Sequence, residues 1–290
     1  MTSLSDGPLF LSANTILMTV TLGAEVLNQY YRFSLYNSPY AAHDEGCAID
    51  LYPETELAPS PVAGKVLETL TVDAPPKPYA ATHDHLILID TGEYVARVLH
   101  VDPVVEGGES VERGDPLGRL VRAGFFAPWV PNHIHLGFRS PDANLYRASG
   151  SLPISVDLRI EPVPWDGTGT VVEAGETWAR LDEPVHPKPG TFAGLESGGG
   201  ILDGGFPHYD SGGLLQGGTR AEIAGREVGS VSGRTVSWQD CTVLANERPI
   251  TGIALFCGRD QFGIKLVGRE LNLREGDDVR IRIDCEATSG

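Results

Sequence analysis

Nowhere does the 290-residue chain hold a helical spacing of apolar residues for more than about two turns. That absence constrains the fold more tightly than any motif, because an apolar residue without a helix stripe must be buried on a strand. The one helical candidate is short, residues 25–31. Elsewhere apolar residues alternate with polar ones or cluster in short runs, at residues 86–89, 94–99, 133–139, 155–160, 253–257 and 279–283. Each run is bounded by Gly, Pro, Asp or Asn, the residues that turn a chain between strands. Its 35 glycines and 21 prolines supply many such turns, and a hydrophobic share of 41% is enough for a packed core. The predicted class is all-β, and a wholly disordered chain is excluded.

Charge narrows the partners. Asp and Glu number 39 against 22 Lys and Arg, a net charge of −17. A field of that sign repels phosphate backbones, so nucleic acid is not an expected partner. The basic residues divide into 4 Lys and 18 Arg, a bias that concentrated salt or a GC-rich genome would produce. Cys47, Cys241, Cys257 and Cys285 form no Cys-x-x-Cys pair, so a zinc knuckle is not expected and the thiols are predicted to be mostly reduced. The N-terminus lacks a basic, then apolar, secretory pattern. Residues 13–22 are too short an apolar run to cross a bilayer and read as a strand. A cytoplasmic protein without a membrane partner is the expectation.

Residues 140–153 are rich in turn formers and place a domain boundary there, giving domains at 1–150 and 151–290. Six of the eight histidines fall within residues 40–140. The second half reads as antiparallel strands, a β-sandwich of accessory type, with His186 and His208 at its surface. Its Gly-rich segment, residues 196–218, reads as a mobile loop.

The sharpest motif is Asn132-His133-Ile134-His135. On a strand His133 and His135 point the same way, and two imidazoles on one buried face are costly without a partner such as a metal. A second element, Ala42-His43-Asp44-Glu45-Gly46-Cys47-Ala48-Ile49-Asp50, places a His and an Asp around a Gly turn that leads into a strand. Two histidines and one carboxylate suit Zn²⁺ and leave one coordination position open. His100 ends the strand 94–99, and residues 105–118 read as a tight hairpin of a small barrel.

In order, His43, Asp50, Pro61-Val62-Ala63-Gly64, His100, the two Gly turns of residues 105–118 and His133-Ile134-His135 resemble the M23 family of zinc metallopeptidases, the lysostaphin and LytM type. The likeness covers residues 40–140. It implies a small β-barrel or sheet domain in which His43, Asp50 and His135 bind zinc. His133 and His100 would then be catalytic, moving the protons of the attacking water. It also implies a peptide substrate with small residues, such as Gly-Gly or D-Ala cross-bridges. One departure stands out: the family has three residues between the first His and the Asp, and here there are six, with Cys47 among them as a rival ligand. His83-Asp84-His85, a second His-x-His, reads as a surface feature. Every ligand and both proton carriers precede residue 140, so residues 1–150 are expected to hold a complete site. Two other readings stay open: a scaffold that keeps the barrel without catalysis, and a carrier phosphorylated on His100 or His133 like a sugar-phosphotransferase IIA domain.

Overall fold

A computed structural model gives the structure and describes residues 18–261 and 264–286. Strands dominate, and the two α-helices among the described residues have four residues each. The first domain runs β1 (Val20–Gly23), α1 (Ala24–Leu27), β2 (Arg32–Ser34), α2 (Ala41–Asp44), β3 (Ala48–Tyr52), β4 (Leu57–Pro59), β5 (Gly64–Asp73), β6 (His83–Asp90), β7 (Val95–Leu99), β8 (Val101–Pro103), β9 (Ser110–Val111), β10 (Pro116–Leu120), β11 (Ile134–Arg139) and β12 (Ile154–Asp157). Of the predicted helix 25–31 only the first turn is helical. Of the predicted strand 13–22, residues 13–17 lie outside the described residues. No helix among those described is long and apolar enough to cross a membrane.

The central sheet is antiparallel in the order β5–β6–β7–β11–β3–β2. Its register aligns Leu86, Leu99, His135, Asp50 and Ser34 in one row, and residues directly opposite share a face. Ile134, Leu136, Val98, Ile87 and Ile49 on the other face join the first apolar core, all almost fully buried.

The sheet does not close into the small barrel that the resemblance implies. At the edge where closure would occur, β2 pairs with Cys257–Gly258 of the second domain, and that strand pairs on with Phe192–Ser197. Phe33 packs edge-on against Phe192, ring centroids 5.0 Å apart, so the first core extends across the domain boundary. Nor do residues 105–118 form a hairpin with themselves: β9 pairs with β5, whereas β10 lies between β4 and β8. The predicted strand 155–160 divides. β12 returns to pair in parallel with β1, and Ile160–Val163 begins the second domain beside Phe192–Ser197.

The second domain is all-β around its own apolar core of Trp165, Leu195, Phe206, Val236, Leu255 and Ile281 among others. Two expectations fail here. The Gly-rich segment is not a loop. It contributes the strands Gly200–Phe206 and Ser211–Leu215, both buried along their length. Glycine is required by close packing: a Cβ on Gly213 would come within 2.1 Å of the Tyr36 ring, and one on Gly212 within 2.0 Å of Trp238. Nor are the cysteines mostly reduced, since two of the four are bridged. Cys241 and Cys285 are direct cross-strand partners and form a disulfide, while Cys47 and Cys257 are buried thiols.

Candidate metal centre

Asp50 sits mid-β3 and His135 lies directly opposite it on β11. His43 arrives from α2, and the extra residues between His43 and Asp50 are taken up by that helical turn and by Gly46 at φ 63°. The chain then reverses through bonds from Gly46 N to His43 O (2.9 Å) and Cys47 N to Ala42 O (2.6 Å). The long spacer thus leaves His43 beside Asp50. Cys47, the rival ligand, turns its Sγ to the Glu45 carbonyl at 3.6 Å and stands outside the cluster.

One potential ligand atom from each of His43, Asp50 and His135 lies within 4.8 Å of the other two. His43 Nε2 is 3.0 Å from His135 Nδ1 and 3.3 Å from Asp50 Oδ1, and His135 Nδ1 is 3.2 Å from Asp50 Oδ1. The hydrogen bonds behind them decide what these atoms offer. His43 Nδ1 faces the Leu35 carbonyl at 2.6 Å, and a carbonyl only accepts, so Nδ1 carries the hydrogen. A neutral His43 then points the Nε2 lone pair at the carboxylate. His133 repeats the arrangement: Nδ1 donates to the Pro131 carbonyl at 2.9 Å and Nε2 lies 3.4 Å from Asp50 Oδ1. Lone pairs converging at such distances require positive charge between them, from a proton or a cation. Two imidazole nitrogens and a carboxylate oxygen fit zinc.

The groups respond to one another. Burial alone would raise the Asp50 carboxyl, but the charges of His133 and His43 hold it well below the ordinary range. Burial pulls His43 down, and Asp50 together with the Leu35 carbonyl outweighs that and raises it. His135 is pushed down to about 4, first by burial and then by the neighbouring His43 charge, despite its bond to Asp50. An ionised carboxylate and a neutral imidazole are the forms that ligate metals.

His100 follows β7 with φ 69°, which breaks the strand and swings the ring toward His133 (centroids 5.2 Å) and His135 (5.8 Å). Its Nδ1 lies 2.5 Å from Asp84 Oδ2. Phe126 stacks on His133 at 4.5 Å. Beside the cluster is a cavity of about 30 Å³, room for one water, lined by Asp50, His100, His133 and His135 together with Tyr40, Phe125 and Tyr209. All five residues singled out from the sequence therefore meet in one place.

Asp84 was not among them. The usable signal was strand parity: if His83 and His85 face outward, Asp84 faces the opposite way, and it is fully buried. His83 is exposed and His85 lies 3.6 Å from the exposed carboxylate of Asp102, away from the cluster.

The second domain also reaches the site. Asp203 accepts hydrogen bonds from Ser34 Oγ (2.6 Å), Leu35 N (2.6 Å) and Tyr36 N (3.2 Å), and Leu35 is the residue whose carbonyl orients His43. Burial lifts the Asp203 carboxyl to about 6 against those three bonds. Ser211 Oγ donates to Asp44 Oδ1 at 2.6 Å, and Tyr209 contributes to the cavity lining. His208, expected at the surface, has both ring nitrogens buried and packs edge-on against Trp129, centroids 5.6 Å apart. The expectation that residues 1–150 hold the whole site therefore changes: the ligand set is theirs, but part of its support and of the cavity lining is not.

Fold and cluster together define a two-domain all-β protein whose first domain carries a buried His–Asp group that could hold a metal ion. Residues 21–156 match the N-terminal domain of DUF8155, a domain of unknown function, and residues 161–284 match its C-terminal domain. The chain thus carries both domains of the DUF8155 family. No curated protein and no solved structure matches it.

Proposed function

We propose that the protein is a zinc-dependent endopeptidase, hydrolysing a peptide bond at the His43–Asp50–His135 centre. The observation that carries this reading is the convergence of His43 Nε2, Asp50 Oδ1 and His135 Nδ1 beside two further imidazoles that have their Nδ1 atoms tied elsewhere. The resemblance to M23 peptidases rests on the order of the same five residues and agrees with this reading. Zinc bound there would polarise the substrate carbonyl and bring a water near neutrality in pKa. His43, oriented by the Leu35 carbonyl, and His135, placed by the β11–β3 register, would hold the ion. His100 keeps its N–H anchored at Nδ1 and offers Nε2, which can accept a proton from the attacking water and return it to the leaving amine, while His133, held at Nδ1 by the Pro131 carbonyl with Nε2 3.4 Å from Asp50 Oδ1, assists that transfer beside it. Tyr40, Phe125 and Tyr209 line the small cavity beside the cluster, and the substrate proposed from the resemblance is a Gly- or Ala-rich peptide. A cytoplasmic setting would keep Cys241 and Cys285 as thiols, so their state in protein isolated under a thiol-blocking reagent reports the compartment.

Metal analysis and a peptide assay test the reading together. Protein purified without chelator is expected to hold about one zinc per chain, as a single three-ligand centre requires. It should cleave a Gly-rich peptide, lose that activity to a chelator and regain it with added zinc. Zinc without hydrolysis on any peptide would favour a scaffold. Absence of zinc, with phosphate acquired on His100 or His133, would favour a phosphocarrier.

A further inference from the structure

Asp84 is fully buried at the start of β6, and its neighbours use both carboxylate oxygens. Oδ1 accepts the backbone N–H groups of His85 (2.7 Å) and His100 (3.1 Å), and Oδ2 takes the His100 Nδ1 proton at 2.5 Å. One side chain therefore fixes both the backbone of His100, at its left-handed φ of 69°, and the direction of its ring. An ionised carboxylate only accepts, so the contact requires hydrogen on Nδ1 and leaves the lone pair on Nε2. Phe126 stands edge-on to the His100 ring with centroids 4.6 Å apart, restricting it further.

We propose that Asp84 is a positioning residue that locks His100 in the Nδ1–H tautomer, with Nε2 the nitrogen that exchanges protons with substrate and water. The inference rests on the reading of His100 as a proton carrier, but its core, the tautomer, holds or fails without any assay of hydrolysis. During turnover Nε2 takes one proton from the attacking water and returns it to the leaving amine. His100 ends as it began, and the net change is water plus peptide to acid plus amine. While the ring is doubly protonated, the Asp84 carboxylate faces its positive charge across a single hydrogen bond.

Asp84→Asn is the informative substitution. The amide oxygen must stay with the two backbone N–H groups, because the amide NH₂ has nothing to offer them. The NH₂ is then directed at His100 Nδ1, which has to become the acceptor, and the proton moves to Nε2. Histidine-selective ¹⁵N labelling of the full chain, with and without added zinc, reads this directly. The expected result is an Nδ1–H His100 in the wild type and an Nε2–H His100 in Asp84→Asn, with zinc affinity unchanged and kcat lowered by about 10²–10⁴-fold at similar KM. In a His100→Ala background the same Asp84→Asn change should have no further effect on kcat. An Nε2–H His100 in the wild type overturns the proposal, even if the variant does not fold. So does an Asp84→Asn protein that keeps the wild-type tautomer, or one that loses zinc to the same extent as kcat. A chain with the predicted tautomers that cleaves no peptide would leave the Asp84 lock standing and remove only the peptidase reading.

Discussion

The strands β6 and β11 open with the same motif and use it in opposite ways. In the row that runs across the sheet, Leu86 of β6 and His135 of β11 both face Leu99 of β7. Two residues upstream on the same face lie Asp84 on β6 and His133 before β11. The histidines of His133-Ile134-His135 therefore point into the site and Ile134 into the core. The motif His83-Asp84-His85 is offset by one residue, so its histidines point away and the residue between them enters the site. A His-x-His spacing states only that two imidazoles share a face. Register against a neighbouring strand decides which face it is, and a one-residue offset exchanges the roles of every side chain.

The largest expected effect follows from that difference. His135→Ala should lower zinc affinity by at least about 100-fold, beyond what loss of an outer-shell partner gives, as read by competition with a chelating dye. Retention of wild-type affinity would break the assignment of β11 as the ligand strand. Next comes His133→Ala, which should keep zinc and lower kcat by about 10²–10⁴-fold; loss of zinc equal to that of His135→Ala would make both members of the pair ligands. Asp203→Ala tests the reach of the second domain. Removing the acceptor of three buried hydrogen bonds behind Leu35 should weaken zinc by about 10-fold, as outer-shell partners do, and lower the denaturant midpoint. An unchanged affinity would show that His43 is held without Asp203. The smallest effect is expected on β6: His83→Ala and His85→Ala should each stay within about 0.5 kcal/mol of wild-type stability, with zinc binding unaltered. A zinc defect in either would sharpen the comparison against us, placing that motif in the site as well.

Local pattern made part of this molecule legible. Period-two alternation marked the strands, and the order of His43, Asp50, His100, His133 and His135 marked residues that meet in space. What stayed hidden depends on long-range register. Asp84 needed the parity of β6 relative to β7. The Cys241–Cys285 bridge needed two strands 44 residues apart in sequence to become neighbours. Asp203 and Tyr209 needed the second domain to lie against the first. The glycines of residues 196–218 misled for a different reason: composition equates glycine with mobility, whereas Gly212 and Gly213 are small because the rings of Trp238 and Tyr36 occupy the space beside them. The open sheet likewise reflects a partner edge, Cys257–Gly258, that no feature near β2 announces.

The central claim concerns three atoms, and a zinc-soaked crystal measured at the zinc absorption edge tests it most directly. The account predicts one strong anomalous peak bonded to His43 Nε2, Asp50 Oδ1 and His135 Nδ1 at about 2.0–2.2 Å, with a fourth position open toward the cavity. His133 and His100 would stand outside the coordination sphere. A peak bonded to Cys47 Sγ or to His133 Nε2, or a fully loaded crystal with no peak beside Asp50, would contradict it.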